Sequence, residues 1–390
     1  MQSKIESAIM NTYNRYPVTI VSGKGCYVWD DQNNKYLDFT SGIATCNLGH
    51  APDGVKQALV KQLDEIWHCS NLFHIPNQNT LGKLLVEHSC FDKVFFCNSG
   101  AEANEAAIKL ARKYAYDHQK SKDIITFTQS FHGRTMATLT ATGQTKIQTG
   151  FSPLIPGFSY LSFNDFTALN QIKELKPAAV LLEIVQGEGG VIPANPVWLK
   201  ELAKICKTEH ILLIVDEIQT GIGRTGKLFA YEHYGIEPDI MTLAKGLGSG
   251  FPIGAMLAKK EVAARFQPGS HGSTFGGNPL ATAAGIATMN QIIQTDILSS
   301  AKEQMDQLKE KLLELKMRHT VIKEVRGLGF LLGVEIDGEA NKIVQLAIEE
   351  KLLVLTAGPH VVRILPPLTV TSDDMKLFIE RFDKVLEKME

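Results

Sequence analysis

No stretch of this chain is apolar for long enough to span a bilayer, and the opening segment MQSKIESAIMNTYNRYP lacks the basic-then-apolar layout of a secretion signal. The reading is of a cytoplasmic protein. Neither sign of charge is in excess: 40 Lys and Arg against 42 Asp and Glu leave a formal net charge of −2, which argues against a nucleic-acid footprint or a polybasic membrane anchor. Cysteine is sparse and unpatterned. The six cysteines, at 26, 46, 69, 90, 97 and 206, hold no C-x-x-C pair and no zinc-ligand spacing, and the 11 histidines hold no H-E-x-x-H, so neither a disulfide framework nor a metal site is expected. Lying in or beside apolar runs, the cysteines read as buried free thiols of a reducing compartment.

What is there is an ordinary globular composition, 44% hydrophobic and 21% charged over 390 residues, enough for roughly two or three domains. Through the middle of the chain short apolar runs alternate with helical patterns: KVFFC (93–97), DIITF (123–127), AAVLLEIV (178–185), ILLIVDE (211–217), DIMTLAK (239–245) and IGAMLA (253–258). Runs apolar on both faces belong to a sheet covered on both sides, most of it parallel, so the fold class is α/β. ANEAAIKLARKYA (103–115) and VWLKELAKICKTE (197–209) repeat apolar residues at three- and four-residue spacing, as crossover helices do. Farther on, Met305, Leu308, Leu312 and Leu315 share one face of a charged helix, and a last helix opens at Ser372 with Met375, Phe378, Phe382, Leu386 and Met389 on one stripe. The expected division is an N-terminal segment (1–50), a large α/β unit (51–286) and a smaller α+β unit (287–390). The N-terminal segment carries two strands around an Asp-Asp-Gln-Asn-Asn turn, too small to fold alone, and is expected to pack on the C-terminal unit or a neighbouring subunit.

Two residues narrow the chemistry. Asp216 ends one apolar run and Lys245 another, followed by the glycines of GLGSG. A lysine amine beside an aldehyde cofactor can form a Schiff base, and an aspartate can hold a pyridine nitrogen protonated, which together describe a pyridoxal phosphate site. After KVFFC, the small residues Ser99, Gly100 and Ala101 lead into a helix whose free N–H groups suit a phosphate, although a plain helix cap would read the same. Gly221, Gly223 and Gly226 spell G-x-G-x-x-G and suggest a nicotinamide dinucleotide fold instead, but five residues, Asp216 to Thr220, separate strand from first glycine, where that fingerprint wants a tight turn. In FHGRT, Phe131 can stack on a planar ring and Arg134 can hold a carboxylate; in GSHGSTFGGNP, Ser273 and Thr274 can reach phosphate or substrate oxygens. Each of these loops could equally be a structural turn.

The order NSGAEA, FHGRT, QGEGG, DEIQTGIGRTG, AKGLGSGFP, GSTFGGNP and VVRILPPL resembles the class III, or ω, aminotransferases, which are fold type I pyridoxal phosphate enzymes, from about Tyr13 to Pro367. The resemblance implies that Lys245 carries the covalent link to pyridoxal phosphate, that Asp216 pairs with the ring nitrogen, that Gln219 approaches the ring hydroxyl and that Phe131 stacks on the ring. Ser99, Gly100 and Ala101 would hold the phosphate, with Thr274 reaching it from the second subunit of a homodimer. Arg134 would take a substrate carboxylate, with Tyr13 and Ser273 nearby. Glu188 and Arg363 would form a pair that opens when a dicarboxylate enters.

The implied reaction moves the δ-amine of N2-acetylornithine to 2-oxoglutarate, giving glutamate. Ornithine, succinylornithine, succinyldiaminopimelate and 4-aminobutyrate are alternative donors. At Ile43, where ornithine-specific relatives resemble one another in carrying tyrosine, an apolar side chain favours a substrate with an acylated or absent α-nitrogen. Ile184, where many relatives have proline, implies a local backbone difference. An NAD-linked dehydrogenase and a catalytically inert binding protein are the readings from other classes.

Overall fold

The computed structural model describes residues 8–389. Its centre is a seven-stranded sheet in the order Lys93–Cys97, Gly254–Ala258, Ile240–Leu243, Leu212–Asp216, Ala179–Glu183, Ile124–Phe127, Phe158–Leu161. Gly254–Ala258 runs antiparallel to both neighbours, and every other pairing is parallel. The apolar runs make this sheet because their residues are needed on both faces. Ala179, Leu181, Leu212 and Ile214 pack with Ala106, Ala107 and Leu110 of helix Gly100–Asp117 on one face. Their neighbours Val180, Leu182, Leu213 and Val215 pack on the other with Trp198, Leu199 and Leu202 of helix Pro196–Thr208. Alternate side chains of one strand thus enter two different cores, which leaves no polar face and no freedom to slip register.

Three further features frame the site. Helix Ile297–Arg318 buries Met305, Leu308, Leu312 and Leu315. The antiparallel strands Ile322–Leu328, Leu331–Ile336, Val361–Ile364 and Leu355–Thr356 form a second sheet. The N-terminal strands Ile20–Lys24, Tyr27–Asp30 and Lys35–Asp38 form a third, closed in parallel by Leu352–Leu353. The N-terminal hairpin therefore packs on the C-terminal residues of its own chain: Tyr27 donates to Asp374 at 2.5 Å, and Phe39 stacks on Phe378 of the last helix at 4.4 Å. That helix, Ser372–Glu387, is opened by Thr371 and Asp374, each capping the other's backbone N–H.

Several expectations are corrected. Of the six free cysteines, Cys26, Cys97 and Cys206 are buried but Cys46, Cys69 and Cys90 are only partly so; they border helix ends and loops, where an apolar neighbourhood in sequence is not a covered one. Lys245 does not end its strand, which stops at Leu243; it opens a 3₁₀ turn, Lys245–Gly248. The glycines at 221, 223 and 226 open no helix, since residues 218–229 run as turns and bends. Instead that loop delivers Arg224, fully buried, whose guanidinium donates to the carbonyls of Phe330 and Pro366 and to Asn47 Oδ1 at 2.7 Å. The G-x-G-x-x-G segment is a clamp between sheet and C-terminal residues, which disposes of the dinucleotide reading.

Candidate active site

The carboxyl ends of the parallel strands open into a cavity of about 420 Å³. Asp216 and Glu183, in register on adjacent strands, both line its floor. Asp216, 4% exposed, is held from three directions: Oδ2 lies 2.7 Å from Asn104 Nδ2 and 2.8 Å from His132 Nδ1, and Oδ1 accepts from the Ile218 N–H at 3.1 Å. Asn104 is fixed in turn by the Thr242 hydroxyl at 2.8 Å and donates to the His132 carbonyl at 2.8 Å. All of these side chains are buried, so the network is rigid and its acceptor capacity points one way. A carboxylate so placed suits a cationic ring N–H.

At one end of the cavity Ser99 caps helix Gly100–Asp117, accepting from the Glu102 N–H at 3.2 Å, while Glu102 accepts from the Asn98 N–H at 2.5 Å. With the cap turned to residue 102, the first-turn N–H groups of Gly100 and Ala101, two residues that line the cavity, have no intrahelical acceptor. Lys245 lies in the same cavity with φ of +40°, a conformation that a non-glycine residue adopts at a cost of ~1–3 kcal/mol. A Cβ at its neighbour Gly246 would lie 2.3 Å from Asn47 Nδ2, so any other residue there would displace Asn47 from the Ile222 carbonyl and Arg224. Burial holds the Lys245 ammonium below the ordinary lysine value; Arg363 acts in the same sense, against Glu188, Asp216 and Glu183. The free amine, which is the nucleophile and base, is correspondingly easier to form.

The substrate side is more open. Phe131 and the exposed Arg134 line the cavity, with the guanidinium 5.8 Å from the phenyl centroid. Arg363, 2% exposed, donates to Glu188 at 2.5 Å and to Gln219 Oε1 at 3.2 Å. Burial would raise the Glu188 carboxyl, but Arg363 beside it, with Lys245 and Gln219, brings it below the ordinary value.

The structure therefore gathers Ser99, Gly100, Ala101, Phe131 and Arg134 with Glu188, Asp216, Gln219 and Lys245, and brings Arg363 against them. It does not bring three others within one chain. Tyr13 is 71% exposed, its ring 5.7 Å from the Arg15 guanidinium. Thr274 is exposed, in a separate surface cleft with Ser70, Asn71 and Leu72. Ser273 accepts from Asn98 at 3.1 Å and from the Gly276 N–H at 3.0 Å, beside the helix cap and not beside Arg134. The sequence reading missed His132, Asn104, Thr242 and Glu183. His132 was adjacent to Phe131 and could have been weighed; the others carry no local signal. Ile43 lies 42% exposed in a left-handed turn, with φ of +45°, +60°, +63° and +59° from Ser41 to Ala44. Buried Ile184 separates strand Ala179–Glu183 from the short pair Val185–Gln186 and Ile192–Pro193.

The donor set fits pyridoxal phosphate: helix N–H groups for phosphate, a buried carboxylate for the ring nitrogen, a phenyl ring to stack and an amine for the aldehyde, all in one cavity. The family model described as aminotransferase class-III matches residues 8–386. The chain belongs to the class III aminotransferases. Pyridoxal phosphate is the cofactor of this family, and the chain is an aminotransferase that depends on it. The acetylornithine aminotransferase of Oceanobacillus iheyensis is 57% identical over 385 residues, 98% of this chain and 96% of that protein. The Bacillus subtilis enzyme of the same name is 51% identical over 381 residues, 97% and 98% of the two chains. Among solved structures, an N-acetylornithine aminotransferase from Stenotrophomonas maltophilia superposes with a TM-score of 0.85 at 38% identity, over 96% of this chain and 97% of that one. An ornithine aminotransferase from Toxoplasma gondii, described with pyridoxal phosphate at partial occupancy in its active site, reaches 0.94 at 33% identity, over 98% and 92%.

Proposed function

We propose that this class III aminotransferase moves the δ-amino group of N2-acetylornithine to 2-oxoglutarate, releasing N-acetylglutamate 5-semialdehyde and glutamate. The higher TM-score to an ornithine aminotransferase does not argue otherwise, because the whole family shares the scaffold and substrate choice lies in a few side chains. Two features support the acylated donor: identity above half to proteins named for it, and an apolar Ile43, which offers no partner to a free α-amine.

The observation that carries the proposal is the Glu188–Arg363 pair at 2.5 Å. A site that alternates between two dissimilar substrates needs an arginine for the dicarboxylate that does not stay unpaired with the other, since a lone buried charge is costly. With acetylornithine present, Glu188 neutralises Arg363 and Arg134 takes the distant α-carboxylate. With 2-oxoglutarate, the carboxylate next to the reacting carbon replaces Glu188, and Arg134 takes the far one. Bound pyridoxal phosphate supplies an aldehyde to hold the migrating amino group and a ring to store the electron pair freed at the substrate carbon. Asp216 would hold the ring nitrogen cationic, the Gly100 and Ala101 N–H groups would hold the phosphate, and Phe131 would cover the ring. Lys245 Nζ, as the free amine, would accept the proton from the substrate carbon and carry it within the site.

We assign the active form to a homodimer in which Thr274 completes the phosphate site of the partner. Supporting this, Leu72 (89%), which lines the Thr274 cleft, and Phe73 (69%) and Phe275 (60%), next in sequence to lining residues, are large apolar side chains left exposed. A cytoplasmic location agrees with the free cysteines and with the absence, among the described residues, of any helix long and apolar enough to cross a membrane. The test is optical. Acetylornithine added to the yellow holoenzyme should bleach it to the amine form at least ten times faster than ornithine does; equal rates would remove the acyl preference.

A further inference from the structure

Glu183 has no role in the reading above, yet it is a buried carboxyl, 6% exposed, on the cavity floor. Its two oxygens are divided between two loops. Oε1 accepts from the Phe131 N–H at 2.9 Å, 52 residues away, and Oε2 from the Gly187 N–H at 3.2 Å. Phe131 is the ring-stacking residue, and Gly187 immediately precedes Glu188. We infer that Glu183 is a positioning residue that references the cofactor-stacking loop and the substrate-gate loop to one point on the sheet, so that Phe131 and Glu188 cannot move independently. The inference rests on the roles given to Phe131 and Glu188 above.

The physical case has three parts. First, the anchor is rigid: Glu183 ends strand Ala179–Glu183, paired through its length with Leu212–Asp216, and lies in register with Asp216. Ring nitrogen, ring face and gate are thereby set from two adjacent strand ends. Second, packing alone does not call for a carboxyl here. Burial raises Glu183, and the negative Asp216 next door raises it further against the opposing effect of His132, so an ionisable group is kept at a cost that an apolar residue would avoid. Third, the shape is specific. A carboxylate offers two acceptors at fixed separation, and a single-acceptor side chain can serve only one of the two loops. The loop between them is tight: a Cβ at Gly187 would lie 2.1 Å from Gln219 Oε1, so the backbone at 187 sits directly on the residue that also contacts Arg363.

The test uses the full-length holoenzyme with Glu183→Gln and Glu183→Ala, and two independent readouts. In hydrogen exchange followed by mass spectrometry, peptides covering 129–134 and 186–190 should both exchange about ten-fold faster in Glu183→Ala, as loss of one hydrogen bond at each predicts. Glu183→Gln, which keeps the shape and one acceptor, should release only one of them. Unchanged exchange in either segment of the alanine variant overturns the inference. In single-turnover kinetics, Glu183→Ala, which frees both loops, should slow the acetylornithine half-reaction more than the glutamate half-reaction. Combined with Glu188→Ala, it should add no further imbalance. Equal losses in both half-reactions, or additive effects in the double variant, would mean that Glu183 is merely structural. Hydrogen exchange needs no substrate, so a wild-type enzyme that ignores acetylornithine would sink the proposed function and leave this test standing.

Discussion

The floor and the rim of the cavity are built on opposite plans. On the floor Asp216, His132 and Glu183, and behind them Asn104 and Thr242, are all at most 6% exposed and joined to neighbouring strands and loops by hydrogen bonds of 2.7–3.2 Å. At the rim Arg134 is open, and Tyr13, Ile43 and Thr274, which lie outside the cavity lining of their own chain, are also exposed, the first two at 71% and 42%. The difference teaches where each job is done. Cofactor electronics depend on the geometry of a few fixed dipoles, which a single chain can lock by burial. In the function proposed above, Arg134 and Thr274 are the side chains left open for a substrate and a second copy, whereas Arg363 already has Glu188 as its partner.

The largest effect should separate the two regions outright. Lys245→Ala should lose at least ~10³-fold in transamination, since it removes the proton carrier, and Thr274→Ala should weaken cofactor binding. Mixed after unfolding and refolding together at limiting cofactor, the two impaired proteins should exceed the sum of their separate activities, because a hybrid dimer holds one site with both residues intact; no gain would place Thr274 in its own chain's site. Next, Asp216→Ala should harm both chemistry and fold. It leaves His132 and Asn104 without their acceptor, so urea denaturation should show a loss of ~1–3 kcal/mol along with the activity. Arg134→Ala on the rim is the control. KM for both substrates should rise ~10–100-fold, the value of a charge-assisted hydrogen-bonded pair, while the urea midpoint stays put. If Arg134→Ala unfolds the protein as Asp216→Ala does, the contrast between floor and rim is lost.

The smallest effect concerns the N-terminal segment that leads into the Ser41–Ala44 turn. The 2.7 Å contact with Asp38 raises His50 to about 10, with Cys46 contributing and burial opposing. The folded value lies above the unfolded value of about 6.5. The native state thus binds more protons between those limits, and the stabilisation, complete below about pH 6.5, fades as pH climbs through about 10. Urea midpoints measured from pH 6 to pH 10.5 should fall for the wild type and run flatter for His50→Gln. Parallel curves would show that the contact carries no linkage.

Legibility followed the same divide. The strands of the central sheet announced themselves because each must be apolar on both faces, and Lys245 and Asp216 could be noticed because a charged residue closing such a run is unusual. The helix cap at Ser99 was readable for a similar local reason. The Asp216 network was not, since its contacts join residues 84, 112 and 138 positions apart. The Glu188–Arg363 pair, 175 positions apart, came from family resemblance and not from any pattern in the residues. The cysteines misled because an apolar neighbour in sequence does not guarantee cover in space.

By itself the sequence determined the α/β class, the covered sheet and the pyridoxal phosphate chemistry, because hydrophobic periodicity and helix capping act over a few residues and a lysine and an aspartate closing apolar runs, among motifs in the order of the family, have few other uses together. Only the tertiary structure decided that Asp216 is held by His132 and Asn104, that Glu183 ties two loops, and that Tyr13, Ser273 and Thr274 stand outside the cavity of their own chain. Those outcomes depend on which strand ends become neighbours, and hydrogen bonds between distant residues have energies set by distance and burial, neither of which exists until the chain has folded.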